Sequence, residues 1–379
     1  MNTIKNIPVF KPLIEQDEIN ACTEVLKLGW LGMGSYVNDF EESIRKFLNT
    51  DRYVAAVNTG HSALHLGLII AEVGKDNEVI TPSFNNIADF QAILAVGAKP
   101  VFCDIDKNTL CINLHKAEKL ITSNTKAIIV MDYGCVLCDH NKVSKFASKY
   151  KLRIIHDAAH SFGSKYKGKM IGSFSDICIF SFDPVKNITC IDGGALIVKT
   201  KEELEKIHEL RLIGMNQPSD VMYKNQRVWT YNVRQLGFRY HMANLHAAIG
   251  LIQLKKIDRI TKTRRFTCNY YNKNLNKIPE IILPKTEFND ITPFLYYIRV
   301  DSHDRDELRK YLLEHGVDTG IHWQPGHQFD LLKNFNKGDL SVTNKICKEI
   351  ISLPLHSCMS MNDMNKVVST ILSFYETKT

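Results

Sequence analysis

The sequence predicts an α/β fold: a mostly parallel central sheet with helices on both faces, joined to a smaller C-terminal α+β domain. Three observations carry this reading. Between about residues 50 and 200, short apolar runs alternate with longer stretches of helical spacing. Most of the runs are β-branched on both faces, as strands buried on both sides of a sheet are. No internal repeat or low-complexity segment interrupts the alternation.

Taken in order, Gln16–Leu28 reads as a helix and Gly29–Gly34 as the glycine-rich loop after it. Val54–Val57 reads as a strand, followed by a helix over Ser62–Glu72. Val79–Ile80, Val101–Cys103, Ala127–Met131 and Leu152–Ile155 read as further strands, with helices over Asn85–Val96 and Asn141–Lys149 between them. Ile177–Phe182 and Ala195–Val198 follow each other closely enough to pair antiparallel. Met242–Ile260 reads as one long helix, with Leu245, Ala248, Ile249, Ile252 and Leu254 on its apolar positions. It leads into the second domain, so the division falls at 1–250 and 251–379. The second domain holds a strand at Tyr296–Val300 and helices at Arg305–Glu314 and Met361–Tyr375.

The composition narrows the function. The chain has 379 residues, 44% of them hydrophobic and 23% charged, enough for a large core. Lys plus Arg is 48 and Asp plus Glu 41, so the formal charge is 48 − 41 = +7, mild for this length and compatible with a small anionic substrate. Nucleic acid calls for a concentrated basic face. The densest basic run, Lys255, Lys256, Arg259, Lys262, Arg264 and Arg265, reads instead as a solvated helix face. The first ten residues, MNTIKNIPVF, show no charged and then apolar stretch, so no leader is expected, and no apolar run reaches the ~18 residues that span a bilayer. The ten cysteines lack a framework spacing, which predicts a reducing, cytoplasmic setting and free thiols. Cys135 and Cys138 form a C-x-x-C without the two further ligands of a zinc site, so no metal is expected. They read as small buried thiols, with a redox pair as the alternative.

Three fragments carry chemistry. Lys186 ends the run Ser181-Phe-Asp-Pro-Val-Lys, in a loop after a strand. In open α/β sheets, ligands bind beyond such carboxyl ends, and a desolvated lysine there can form an imine. Asp157, in His156-Asp-Ala-Ala-His160, also lies just past a strand, where it could hold a pyridinium nitrogen protonated. Asn58-Thr-Gly-His-Ser62 runs from strand to helix, and Gly60 with Ser62 would offer backbone N–H groups and a hydroxyl to a phosphate. Singly, each has a plainer reading: an exposed loop lysine, a helix-capping Asp, a helix-capping Ser. Together they are the three handles of a pyridoxal 5'-phosphate (PLP) site.

At this point the sequence resembles the DegT/StrS-type sugar aminotransferases, from Gly29 to beyond Pro354. Thr59-Gly60-His61-Ser62-Ala63-Leu64 is similar to the family's phosphate turn, and Gly97 to Asp104 to its G-A-x-P-V-F-x-D strand entry. Tyr133-Gly134, Asp157 to His160, Ser181 to Lys186, Gly193-Gly194, Gly237 to Gly250, Gly320 to His327 and Leu353-Pro354-Leu355 match further motifs in order. The resemblance implies the fold type I PLP architecture, PLP as cofactor, and transfer of an amino group from glutamate or glutamine to a nucleotide-linked keto-deoxysugar. It implies that Lys186 joins the cofactor and moves the proton, that Asp157 pairs with the ring nitrogen, and that His160 approaches the phenolic oxygen. Ser181 with Gly60, His61 and Ser62 would hold the phosphate. The site would be shared across a homodimer, with Arg239 reaching the partner's phosphate. Trp30, His322 and His327 would bind substrate, in a pocket shaped by residues 29–36, 215–234 and 320–327. Neither nucleic acid nor membrane is expected as partner.

Three positions depart from the pattern. His61 stands where a threonine is usual, so the hydroxyl contact must come from Ser62 or be lost. Asn86, in Pro82-Ser-Phe-Asn-Asn, stands where the family often stacks an aromatic on the cofactor, so contact there must be polar or be supplied otherwise. Arg239 and His241 replace the Asn and Arg of the dimer motif, and Arg239 could grip a phosphate bidentately. These departures keep open a second reading, a non-catalytic PLP-binding regulatory protein. Intact Lys186 and Asp157 favour the enzyme.

Overall fold

The computed structural model describes residues 6–216 and 219–378. The start of the chain, read above as lacking a leader, falls partly on residues 1–5. The substrate stretch 215–234 includes 217 and 218. These positions lie outside the described residues.

Two helices come first, α1 (Gln16–Leu28) and α2 (Ser35–Phe47). Then follow β1 (Tyr53–Val57), α3 (Gly60–Ile70), β2 (Glu78–Pro82), α4 (Ile87–Ala95), β3 (Lys99–Cys103), α5 (Leu114–Glu118), β4 (Thr125–Met131), α6 (His140–Tyr150) and β5 (Arg153–Asp157). A short hairpin, β6 (Lys165–Tyr166) and β7 (Lys169–Met170), leads to β8 (Ile177–Ser181), β9 (Gly194–Val198), α7 (Lys201–Leu210) and α8 (Ser219–Tyr223). The C-terminal part holds α9 (Asn244–Lys255), α10 (Ile257–Leu275), β10 (Tyr296–Arg299), α11 (Arg305–Glu314), α12 (Ser341–Glu349), β11 (Ile350–Leu353) and α13 (Met361–Glu376).

Seven strands form one sheet in the order β1-β9-β8-β5-β4-β2-β3. Strands β3, β2, β4, β5 and β8 pair in parallel, while β9 is antiparallel to both β8 and β1. The expected antiparallel pairing of the two closely spaced strands is therefore present. Side chains alternate between two helical layers, as the two-residue period of a strand requires. Val54, Ala56, Cys178, Phe180, Ala195 and Ile197 face α2 and α9. Ala55, Val57, Ile177, Ile179, Leu196 and Val198 face α3 and α7. Each such Ile, Leu or Phe stabilises by about 1.5–3 kcal/mol on burial. The β10–β11 pair and helices α10 to α13 share a third core with Ile80, Val101, Ile128 and Val130 of the main sheet.

Two expectations need correction. The helix expected over Met242–Ile260 is two helices, broken at Lys256, and the second runs on to Leu275. No Pro or Gly marks the break. Tertiary partners impose it: Gln253 donates to the Leu13 carbonyl and to Glu18, and Lys256 pairs with Glu15, Asp17 and Glu18 of the N-terminal segment. The basic run is likewise no simple solvated face. Lys255, Arg259 and Lys262 are exposed, but Arg264 is fully buried and donates to the carbonyls of Pro293, Phe294 and Leu355. Arg265 donates to Ile291 O. These cations are structural clamps, and a basic residue at helical spacing does not reveal which carbonyls the fold will bring to it.

Candidate active site

The parallel strands all end at one edge of the sheet, and there a cleft of about 450 Å³ opens. One end is built by α3. Thr59 caps the helix by accepting from Ser62 N at 3.0 Å, so the chain enters the helix with Gly60 and His61 lining the cleft. The first N–H groups of a helix have no intrahelical partner and lie at its positive end, which suits an anion. Glycine is required here by approach: a Cβ on Gly60 would lie 2.7 Å from Ser181 Cβ. Ser181, at the end of β8, thus faces the same turn and also lines the cleft.

At the other end, β5 delivers Asp157. It is 3% exposed, and one oxygen accepts from Ala159 N at 3.0 Å. Burial pushes its carboxyl up to about 6; the Ala159 N–H and the charge of Lys186 oppose the rise. Lys186 follows the Asp183-Pro184 turn and is anchored through its neighbour, since Asn187 donates to the carbonyls of Phe162 and Thr292. Its ammonium nitrogen lies 4.4 Å from the Phe294 ring centroid. Burial lowers its pKa against the opposing charges of Asp157, Asp183 and Asp89. A lysine drawn toward its neutral form is a competent nucleophile and base.

His160 completes the cleft wall. Its Nδ1 accepts from Gly134 N at 3.2 Å, which places the proton on Nε2. Burial, then the charge of Lys186, holds it well below the usual imidazole range, so it is neutral. It stacks on Phe294 with ring centroids 4.2 Å apart. Phe10, Phe294, His322 and Trp323 also line the cleft, and His322 is held by Ser352 Oγ at 2.8 Å and by the Tyr133 hydroxyl on its carbonyl.

The structure therefore brings together Lys186, Asp157, His160, Ser181, Gly60, His61, Asn86 and His322 on one cleft. Three residues expected to line it do not, and a fourth, Arg239, is expected at the partner's site instead. Ser62 turns its hydroxyl to Asn58 Oδ1 at 2.7 Å, so the hydroxyl-bearing residues at this end of the cleft are Thr59 and Ser181. His327 is bonded to Ser83 Oγ and Asn344 Oδ1. Trp30 packs beside Arg227, and Arg239 is exposed. The departures at 61 and 86 also gain an explanation. His61 Nδ1 bonds Ala88 O at 3.2 Å and braces α3 against α4, while Asn86 caps α4 by accepting from Ala88 N. Sequence reasoning missed Phe10, Phe294, Asp183 and Asp192 as lining residues. Phe10 and Phe294 come from segments remote in the chain and carry no local signal.

Behind the cleft, Asp132 ties β4 to β5. One of its oxygens accepts from Cys138 N and His140 Nε2, the other from His156 Nε2 and Ser161 Oγ. Burial would raise its carboxyl, but His140 and His156 hold it well below the usual range. The three side chains are of metal-ligating type and lie close together, yet each carboxylate oxygen already has two donors. Cys135 and Cys138 are buried and free. Burial raises the Cys135 thiol, and a hydrogen bond to Cys111 followed by burial raises Cys138, the opposite of a reactive pair.

A family model for the DegT/DnrJ/EryC1/StrS aminotransferase family matches residues 12–372. The Bacillus subtilis spore coat polysaccharide biosynthesis protein SpsC is 32% identical over 374 residues, covering 96% of each chain. Helicobacter pylori PseC, an aminotransferase involved in pseudoaminic acid biosynthesis, superposes with a TM-score of 0.91 at 26% identity, covering 98% of this chain and 100% of that one. The Streptococcus pneumoniae protein Spr1654 in its PLP-form gives a TM-score of 0.88 at 27% identity, covering 98% and 99%.

Proposed function

The chain belongs to the DegT/DnrJ/EryC1/StrS aminotransferase family, and from that premise we propose that it moves the amino group of glutamate (or glutamine) onto a nucleotide-linked keto-deoxysugar. The enzyme is an aminotransferase and uses PLP. The observation that carries the reading is the meeting of Lys186, Asp157 and the Gly60–Ser181 turn in one cleft. The residues fit the cofactor: an anion-favouring helix start that only glycine permits, a buried carboxyl for a ring nitrogen, and a desolvated amine between them.

When bound, PLP supplies an aldehyde carbon that accepts the amino group and a ring that withdraws electrons. The chain's own residues do the rest. Gly60, His61 and Ser181 would hold the phosphate, Asp157 would keep the ring nitrogen protonated, and His160 would donate its Nε2–H toward the ring's oxygen. Lys186, as a neutral amine, would carry the proton, a contribution of about 10²–10⁴-fold by itself. His322 with Phe10, Phe294 and Trp323 borders the space left for the sugar, and Asn86 is a polar group at its edge.

The same reading makes the active unit a homodimer. Trp229 is 84% exposed and Leu236 82% exposed, on a stretch that also presents Arg234 and Arg239. Trp30 and Arg239, both off their own cleft, would serve the partner's. SpsC and PseC lend support to a role in surface polysaccharide or glycan synthesis.

The test is a screen of nucleotide-linked 3-keto and 4-keto sugars with glutamate, following release of 2-oxoglutarate. Turnover with one class is expected. Saturated cofactor without turnover on any of them counts against the substrate. Lys186→Ala should abolish the borohydride-trapped adduct on the peptide containing residue 186 and reduce turnover by about 10²–10⁴-fold or more.

A further inference from the structure

Asp157 is the last paired residue of β5, and the chain from Ala158 to His160 turns off the sheet. The two residues that flank this run meet at one atom. His156 Nε2 donates to Asp132 Oδ2 at 2.8 Å, and Ser161 Oγ donates to the same oxygen at 2.7 Å. All three side chains are out of water: Asp132 and Ser161 are 1% exposed and His156 0%. Ser175 Oγ holds the other side of the His156 ring, at 2.7 Å from Nδ1. Asp132 directly follows β4, whose last residue, Met131, lies opposite Asp157 in the sheet. Its Oδ1 accepts from Cys138 N at 2.8 Å, which closes the turn whose Gly134 N–H reaches His160 Nδ1 at 3.2 Å. The same oxygen accepts from His140 Nε2 of α6 at 3.0 Å.

We propose that Asp132 is a positioning residue of this site: one of its oxygens holds both ends of the run from Asp157 to His160, and so aims the Asp157 carboxyl and the His160 Nε2–H at the cofactor ring together.

A carboxylate accepts only, with room for about four donors, and Asp132 has four. Hydrogen bonds to a charged acceptor are roughly twice as strong as neutral ones, and a fully satisfied buried network is rigid. Between the two pinned ends lie only Asp157, Ala158, Ala159 and His160. Their remaining ties are short-range or to the neighbouring strand: Ala158 N to Ile179 O, Ala159 N to Asp157 Oδ1 and Ser161 N to Ala158 O. A shift at either end therefore moves both cleft-lining side chains, and a misplacement of about 1 Å can cost about 10²-fold in rate. Neither Asp132 nor any of its four donors lines the cleft, so the effect passes through Asp157 and His160. This rests on the reading that those two side chains face the cofactor, not on which sugar is aminated.

The experiment is solid-state NMR of the full chain saturated with PLP that carries ¹⁵N at its ring nitrogen, whose resonance reports how firmly that nitrogen holds its proton. Asp157→Asn should move the resonance toward the unprotonated position. Ser161→Ala removes one hydrogen bond and no charge, and should move it part of the way in the same direction, as should Asp132→Asn. His140→Asn loosens Asp132 on the other oxygen, through a helix that contributes nothing to the cleft wall, and should leave the resonance in place. A wild-type resonance in Ser161→Ala overturns the proposal, and so does a His140→Asn shift as large as that of Ser161→Ala, which would mean general softening. A resonance that Asp157→Asn itself does not move overturns both this proposal and the reading of Asp157; a resonance moved by Asp157→Asn alone overturns only the positioning role. Cofactor affinity gives a second readout. Ser161→Ala should weaken PLP binding by about tenfold in the wild type, but by no more than about twofold in a chain already carrying Asp157→Asn and His160→Ala. An undiminished loss there overturns the proposal. If Asp132→Asn does not fold, Ser161→Ala and His140→Asn carry the test by themselves. None of these measurements needs a sugar substrate, so failure of the substrate screen leaves them standing.

Discussion

Asp157 and Lys186 show how one cleft sets two protonation states in opposite directions. Removal from water disfavours whichever form is charged, so the carboxyl rises and the amine falls. The rise has a measurable consequence in the apo protein. The folded chain retains a proton on Asp157 up to about pH 6, whereas the unfolded chain releases it near pH 4. Stability therefore falls as pH rises through that window, by on the order of 1–3 kcal/mol. Urea titrations of the apo wild type against Asp157→Asn should show this difference growing from pH 4 to pH 6 and levelling above. A flat difference would mean the carboxylate is better solvated than its burial indicates. Asp157 and Lys186 could be picked out from the sequence because their roles dictate residue type.

At the scale of elements, the approach of α3 to β8 makes the end proposed to hold the phosphate. Gly60→Ala should weaken PLP binding by about tenfold or more, because the 2.7 Å approach of its Cβ to Ser181 must be relieved by moving the helix start. Titration of apo protein with PLP checks this, and thermal melting should show the fold retained. The outer layer depends on a different device. Glu41 of α2 receives Arg211 Nη1 at 2.6 Å and the Ala56 N–H, and Arg211 also donates to Ala56 O and Tyr223 Oη. This buried pair joins α2, β1 and α8. Glu41→Ala strands a buried cation and should destabilise by about 3–5 kcal/mol in urea unfolding. Periodicity revealed that α2 and β1 exist, since it records which residues face inward. It carries no information on the partner of a buried charge, and the break at Lys256 was invisible for the same reason.

At the scale of the whole molecule, one sheet edge collects residues from positions 10 to 323, and among the described residues no helix is long and apolar enough to cross a membrane. The exposed Trp229 and Leu236 belong to the proposed dimer face. Trp229→Glu should shift light-scattering mass from two chains toward one and lower turnover together with it. A monomeric wild type of full activity would remove the dimer from the account. The alternation of apolar runs and helical spacing determined the α/β class and the strand order along the chain, and the motif residues pointed to Lys186, Asp157, Ser181 and the Gly60 turn as one candidate site, because local propensity and residue chemistry are written position by position. The tertiary structure alone decided that Ser62 points away, that Phe10 and Phe294 line the cleft, and that Arg264 is buried. Those outcomes depend on distances between segments far apart in the chain, and such distances are set only when the whole core packs.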